Sequence, residues 1–178
     1  MLKMILPGIA ALVAVFLVVV ALQPSQFRVE RSATMRAPAL APFAQVNDFQ
    51  NWRAWSPWEK VDPALKRSYA GPQSGPGAQY AWIGNKDVGE GRMTILESRP
   101  GELVRIQLEF FKPFAATNTA EFRFRQAEGG ATAVSWSMEG HNNFLSKAIC
   151  MFVNMDRMVG GMFEQGLAQM KAVVERGA

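Results

Sequence analysis

The sequence predicts an α+β domain, a curved antiparallel seven-stranded sheet packed on a long C-terminal helix and preceded by one transmembrane helix. Three observations carry this prediction. Seven short segments rich in alternating or β-forming residues lie between turn residues, and connections this short imply antiparallel neighbours. The tail from Asn143 to about Arg176 repeats apolar residues at helical spacing. The run from Met4 to Leu22 contains no charged residue.

That run, taken as a helix rising about 1.5 Å per residue, nearly matches a hydrocarbon core of about 30 Å, and it is longer than the apolar part of a usual signal peptide. The expectation is a retained single-pass anchor over residues 1–25, followed by a ligand-binding domain over 26–178. Lys3 lies on one side of the run, and Arg28, Arg31 and Arg36 lie on the other. The membrane side of the domain therefore stays open.

Phe27, Val29, Ala33 and Met35 alternate with polar residues as a first strand, and Arg31 interrupts their face; a snorkelling strand-end residue is the preferred reading of it. Ala37-Pro38 opens a short helix through Leu40, Phe43 and Val46, which ends near Asn47-Asp48. Trp52, Trp55 and Trp58 follow at three-residue spacing in a stretch that Pro57 and Pro63 limit to a turn or one short helix. Six strands follow: Leu65–Ala70, Gly77–Gly84, Val88–Arg99, Glu102–Lys112, Ala115–Gln126 and Thr132–Gly140. Gly71-Pro72, Gly84-Asn85, Pro100-Gly101, Lys112-Pro113 and Gly129-Gly130 separate them. The helical tail, in one piece or two, places Met155, Met158, Val159, Met162, Phe163, Leu167, Met170 and Val174 on one stripe. Gly160, Gly161 and Gly166 each weaken that helix by about 1 kcal/mol relative to alanine, which suggests close approach to the sheet or to a ligand.

With 49% hydrophobic and 19% charged residues the chain has the composition of a folded domain, and 178 residues need no second one. Its net charge of +4 is spread without a Lys/Arg run, which argues against a nucleic-acid partner. Cys150 and His141 are single, so neither a disulfide within the chain nor a Cys/His metal site can be assembled, and no metal or cofactor is expected. Cys150, within an apolar run, reads as a small buried hydrophobe.

Several segments resemble a known family. They are Met35-Arg36-Ala37-Pro38, Asp48-Phe49-Gln50-Asn51-Trp52 with Trp55-Ser56-Pro57-Trp58, and Gly84 through Gly91. Phe110-Phe111-Lys112-Pro113-Phe114, Gly140-His141-Asn142-Asn143-Phe144 and Met155 through Gly160 complete the set. From about Phe27 to Glu175 the chain is similar to the polyketide cyclase/dehydrase-like branch of the SRPBCC superfamily, the START-like helix-grip proteins. The resemblance implies a seven-stranded antiparallel sheet gripping the C-terminal helix around an apolar cavity. Relatives bind lipids, sterols, polyketides and other hydrophobic molecules, and some are enzymes; one fold hosts many functions.

If the sheet curls around the helix, strand parity turns Val104, Ile106, Leu108 and Phe110 inward, with Phe122 and Phe124, then Val134, Trp136 and Met138. The residues expected to line a ligand site are Trp82, Phe110, Asn118, Phe122, Trp136, Met138, Met155 and Met162. Plain core packing would use the same apolar side chains. Asn118 shares the inward parity and needs a hydrogen-bond partner, which a ligand, a carbonyl or water can supply. Five of the ten methionines fall between Met151 and Met170, where their adaptable chains suit a tolerant pocket or an awkward gap. The tryptophan triplet reads either as an aromatic gate or as packing of the small helices.

His141 is a weak acid–base candidate, with Asp156 to orient it and Ser137 or Ser146 as nucleophile, but the G-x-S-x-G signature of a serine hydrolase is absent. Capping of the C-terminal helix by Asn142 or Asn143 explains that segment better. Gly84 to Gly91 lacks the spacing of a phosphate-binding loop and reads as a hairpin turn. The leading expectation is a membrane-anchored binding protein for an apolar or amphipathic small molecule or lipid. A cyclase- or dehydrase-type enzyme acting on a hydrophobic substrate is the alternative. A ligand-free interaction module with a filled core and an exposed apolar patch is the third possibility.

Overall fold

Alternating side chains decide which face of each strand is buried, and here they fold into one sheet in the order β1-β7-β6-β5-β4-β3-β2, antiparallel throughout. The computed structural model describes residues 2–176. The strands are β1 (Gln26–Met35), β2 (Lys66–Ala70), β3 (Gln79–Ile83), β4 (Glu90–Arg99), β5 (Leu103–Lys112), β6 (Ala116–Gln126) and β7 (Thr132–His141). The helices are α1 (Leu2–Leu22), α2 (Leu40–Asn47), α3 (Phe144–Cys150) and α4 (Met155–Arg176), with 3₁₀ turns at Phe49–Ala54 and Pro57–Lys60. Six of the strands are hairpin neighbours; β1 instead joins β7, so the first and last strands meet beneath the C-terminal helix. Register shifts in β4 at Glu90/Gly91 and Ile95/Glu97 bend the sheet.

α4 runs along β1 in the same direction. Arg31 bonds Asp156 and Glu164 near its start, the Lys171 ammonium donates to the Thr34 carbonyl at 2.6 Å, and the Arg36 N–H donates to Glu175 at 2.6 Å near its end. Its buried stripe of Phe163, Leu167, Met170 and Val174 faces the sheet. The helical tail, left open as one piece or two, is broken between α3 and α4, and α3 is capped by Asn143, whose side-chain oxygen accepts the Ser146 N–H at 2.8 Å. The close approaches implied by the glycines hold at two positions. A Cβ on Gly160 would collide with the Arg31 guanidinium, and one on Gly166 would lie 2.8 Å from Trp136 Cζ3, whereas Gly161 has open space around its Cβ position.

Two expectations need correction. Among the described residues no helix is long and apolar enough to cross a membrane, so the transmembrane anchor and the single-pass membrane location are withdrawn. At its end α1 packs on α3, where the Lys147 ammonium reaches the Ala21 carbonyl at 3.4 Å. Residue 1 of the expected anchor and residues 177–178 of the expected domain lie outside the described residues. Arg31 is also not a strand-end residue that snorkels to water. It sits mid-strand opposite Trp136, with its guanidinium held by Asp156 and Glu164.

Candidate functional site

Along the inner side of β5, burial fades toward one end of the sheet. Val104 and Ile106 are fully buried, whereas Leu108 and Phe110 are half-buried. At that end the registers place Asn118 between Leu108 and Gly140, and Gly91 between Phe110 and Trp82. The two glycines make room for their neighbours: the Trp82 ring lies where a Cβ of Gly91 would be, and the Asn118 side-chain oxygen lies against Gly140 beside Phe27. The Trp82 indole N–H donates to the Val88 carbonyl at 3.3 Å. Asn118 is 8% exposed, and its one side-chain contact of hydrogen-bond type among the described residues is a weak one from Nδ2 to Met138 Sδ at 3.9 Å. α4 leans chiefly on β1.

Toward the other end the space beneath α4 is filled. Trp136 stacks on Phe163 of α4 at 4.0 Å with planes 11° apart and on Phe122 of β6 at 4.7 Å. Trp52, Trp55 and Trp58 meet Trp136 edge-on at 5.6–6.1 Å, so the triplet packs the 3₁₀ turns onto the sheet. The indole N–H groups of Trp52 and Trp55 donate to the carbonyls of Val46 and Gln45. Trp136, 3% exposed, is the exception: its Nε1 is a buried donor with no partner among the described residues.

The expected lining residues therefore divide. Trp82, Phe110, Asn118 and Met138 gather at the mouth, while Phe122 and Trp136 belong to the deeper aromatic cluster. Met155 and Met162 are half-buried on the part of α4 nearest the mouth. The catalytic candidates are not joined by any contact. His141 is exposed at the end of β7, where Nε2 lies 3.4 Å from Gln26 Nε2. Asp156 is exposed and gives both carboxylate oxygens to Arg31, at 2.9 and 3.0 Å, which holds its pKa below the ordinary carboxylate value.

A buried polar group that sequence reasoning missed lies on the wall beside Trp82. Glu59 accepts from the Tyr80 hydroxyl at 2.9 Å and from Arg67 Nε at 2.7 Å, and Tyr80 stacks on Trp82 at 5.9 Å. Burial and the neighbouring Glu59 charge both raise the Tyr80 pKa, so the phenol stays a neutral donor. Spacing gives no clue to this triad, because three elements bring its members together. Two clefts lie elsewhere and contain none of the expected lining residues. One of about 250 Å³ is bordered by Phe49, Tyr69, Gln73 and Gln79. The other, of about 420 Å³, lies on the outer face of the sheet among Arg28, Arg105, Glu121, Arg123 and Glu139, where the arginines pair with carboxylates.

Comparison with known proteins agrees with this architecture. The family model described as polyketide cyclase/dehydrase and lipid transport matches residues 26–175. Protein SA2116 from Staphylococcus aureus superposes with a TM-score of 0.62 at 14% identity, covering 85% of this chain and 95% of that one. Protein CV1439 from Chromobacterium violaceum gives 0.58 at 18% identity, covering 85% and 99%. DynU16, a protein of the dynemicin biosynthetic locus, gives 0.57 at 11% identity, covering 84% of this chain and 48% of its own. No curated protein matches the sequence. At these identities the structural likeness shows the fold alone.

Proposed function

The chain belongs to the polyketide cyclase/dehydrase and lipid transport family, and on that premise we propose that it binds an apolar or amphipathic small molecule against the inner face of the sheet at its open end. The observation that carries this reading is the loss of burial along β5. Leu108 and Phe110 continue the apolar face of Val104 and Ile106 but are only half-covered. A contiguous apolar wall left partly wet gains about 25 cal/mol per Å² when a ligand dries it. Trp82, Met138 and Asn118 border the same space, and the Asn118 amide supplies a polar group that can orient the bound molecule.

The enzyme reading rests on the family description and has less support from the side chains. His141 and Asp156 face different partners. The exposed Phe111, Phe114, Phe144, Leu145 and Phe152 favour a second reading, docking of a protein partner around the mouth. Organic-solvent extraction of the purified full chain followed by mass spectrometry separates the two. The binding reading expects a stoichiometric apolar molecule, diminished in protein carrying Phe110→Asp. Extracts with no such molecule from either protein contradict it.

A further inference from the structure

The sheet has two edge strands, β1 and β2, and they are treated differently. β1 is bound by α4 and by side chains: Lys171 Nζ donates to the Thr34 carbonyl, Arg31 donates to the Glu30 carbonyl, and the Arg36 N–H donates to Glu175. Among the described residues the backbone of β2, Lys66–Ala70, pairs with β3 alone. The strand contains neither a proline nor a bulge, and every residue of it except Arg67 is exposed. A strand with one free side presents unpaired N–H and C=O groups, a template for a further strand. Its five residues, about 17 Å at roughly 3.3 Å per residue, have the usual length of a strand.

At the end of β2 lies the cleft of about 250 Å³, with Tyr69 and Ala70 on one side and Phe49 and Gln50 on the other. Phe49 and Ala78 give it a buried apolar surface, and Gln73 adds an amide. Pockets for free small ligands start near 300 Å³, so this volume better suits one side chain of a chain lying along β2. Tyr69 shares a face with Tyr80, its partner on β3, and alternation turns Lys66 to the opposite face. An added strand therefore directs one side chain into the cleft and another, three residues along, toward Lys66. Charge selects the partner. Arg67 is occupied by Glu59 and Lys60 by Gln169, whereas Lys66 and Arg53 are exposed cations in no ion pair among the described residues. The Tyr69 pKa is raised chiefly by burial, and the Arg53 charge opposes the rise, which puts that guanidinium near the cleft. Unpaired cations attract carboxylates and disfavour a second copy of this chain, which would bring the same cations together. We propose that the β2 edge takes up an extended acidic peptide segment of a protein partner as an added strand, with an aromatic side chain in the Phe49–Tyr69 cleft and a carboxylate at Lys66. Main-chain hydrogen bonds supply affinity and the cleft fixes the register. This edge is separate from the ligand site at the mouth, none of whose residues borders the cleft.

The probe is the peptide acetyl-Glu-Thr-Val-Tyr-Val-Thr-Glu-amide, which sets a carboxylate three residues from the tyrosine in either strand direction; a control peptide carries lysine in place of both glutamates. Each is titrated into the isotope-labelled full chain and into its Lys66→Glu variant, and NMR follows affinity and amide hydrogen exchange. The acidic peptide should bind wild type more tightly than the lysine peptide does and slow exchange within residues 66–70. Lys66→Glu should weaken the acidic peptide by roughly 2- to 5-fold, the range of one cross-strand charge pair, and strengthen the lysine peptide. The wild-type comparison of the two peptides stands even if the variant fails to fold. Equal binding of both peptides to wild type, no binding of the acidic one, or exchange at 66–70 that it leaves unchanged overturns the inference. Protection of the same amides on raising the concentration of the chain alone would assign the edge to a second copy and overturn it as well.

Discussion

The rings of Trp136 and Phe163 lie 4.0 Å apart and only 11° from parallel, and Gly166, one turn further along α4, lets the helix settle over the edge of the same indole. A Cβ at 166 would stand 2.8 Å from Trp136 Cζ3 and 3.1 Å from Pro57 Cδ, while one at 161 would meet nothing within 4 Å. The two glycines should therefore respond to alanine with opposite signs. Gly161→Ala gains helix propensity and should stabilise the fold by up to about 1 kcal/mol. In Gly166→Ala the same gain is outweighed by overpacking, typically about 1–3 kcal/mol, so the variant should melt lower than wild type. Denaturant melts of the two variants, compared at equal slope, provide the check.

Arg31 ties the start of α4 to the middle of β1, and the guanidinium holds the Asp156 pKa down chiefly through the hydrogen bonds between them. A carboxylate whose folded pKa is lowered contributes stability above its unfolded pKa of about 3.9 and loses it as pH falls through the folded value. Asp156→Asn should thus melt slightly below wild type at pH 7, and the gap should narrow as the pH falls below the ordinary carboxylate range. The effect is small because Asp156 is solvent-exposed. A gap that persists undiminished in acid would show that the ion pair is not its source.

The chain has two tyrosines, and both phenols are raised above 10, Tyr69 and Tyr80 alike chiefly by burial and then by the Glu59 charge. A raised folded pKa contributes stability that is complete below the unfolded value and disappears as pH rises through the folded one. Absorbance of tyrosinate should rise at higher pH in the folded protein than for free tyrosine, with Tyr80 ionising last and the fold weakening over the same interval. In Glu59→Gln the hydroxyl of Tyr80 keeps an acceptor but loses the adjacent charge, so its ionisation should begin at lower pH.

Period-two patterning made the sheet legible in the sequence. The alternation of Phe27, Val29, Ala33 and Met35, and of Val104, Ile106, Leu108 and Phe110, identifies strands and their inner faces without reference to any distant contact. Asn118 was legible for the same reason. What parity cannot reveal is depth. Phe122 and Phe110 both point inward, yet Phe122 is enclosed by Trp52, Trp55 and Trp136, and Phe110 stands at the mouth. Arg31 looked like a strand-end residue because its partners, Asp156 and Glu164, are 125 and 133 residues away. Glu59, Arg67 and Tyr80 carry no shared signal in the sequence, because only the fold of β2 and β3 against the Pro57–Lys60 turn makes them neighbours. The absence of charge between Met4 and Leu22 described the composition of α1, and composition alone does not establish a span.

Ligand binding at the mouth is tested most directly by calorimetric titration of 1-indanone into the full chain and into a Phe110→Asp variant with an unchanged melt. One saturable site per chain is expected, weakened at least about tenfold by the carboxylate, because a charge placed on the half-dry wall costs more than about 1.4 kcal/mol to desolvate. Absence of saturable binding to wild type, or equal affinity in the variant, would contradict it.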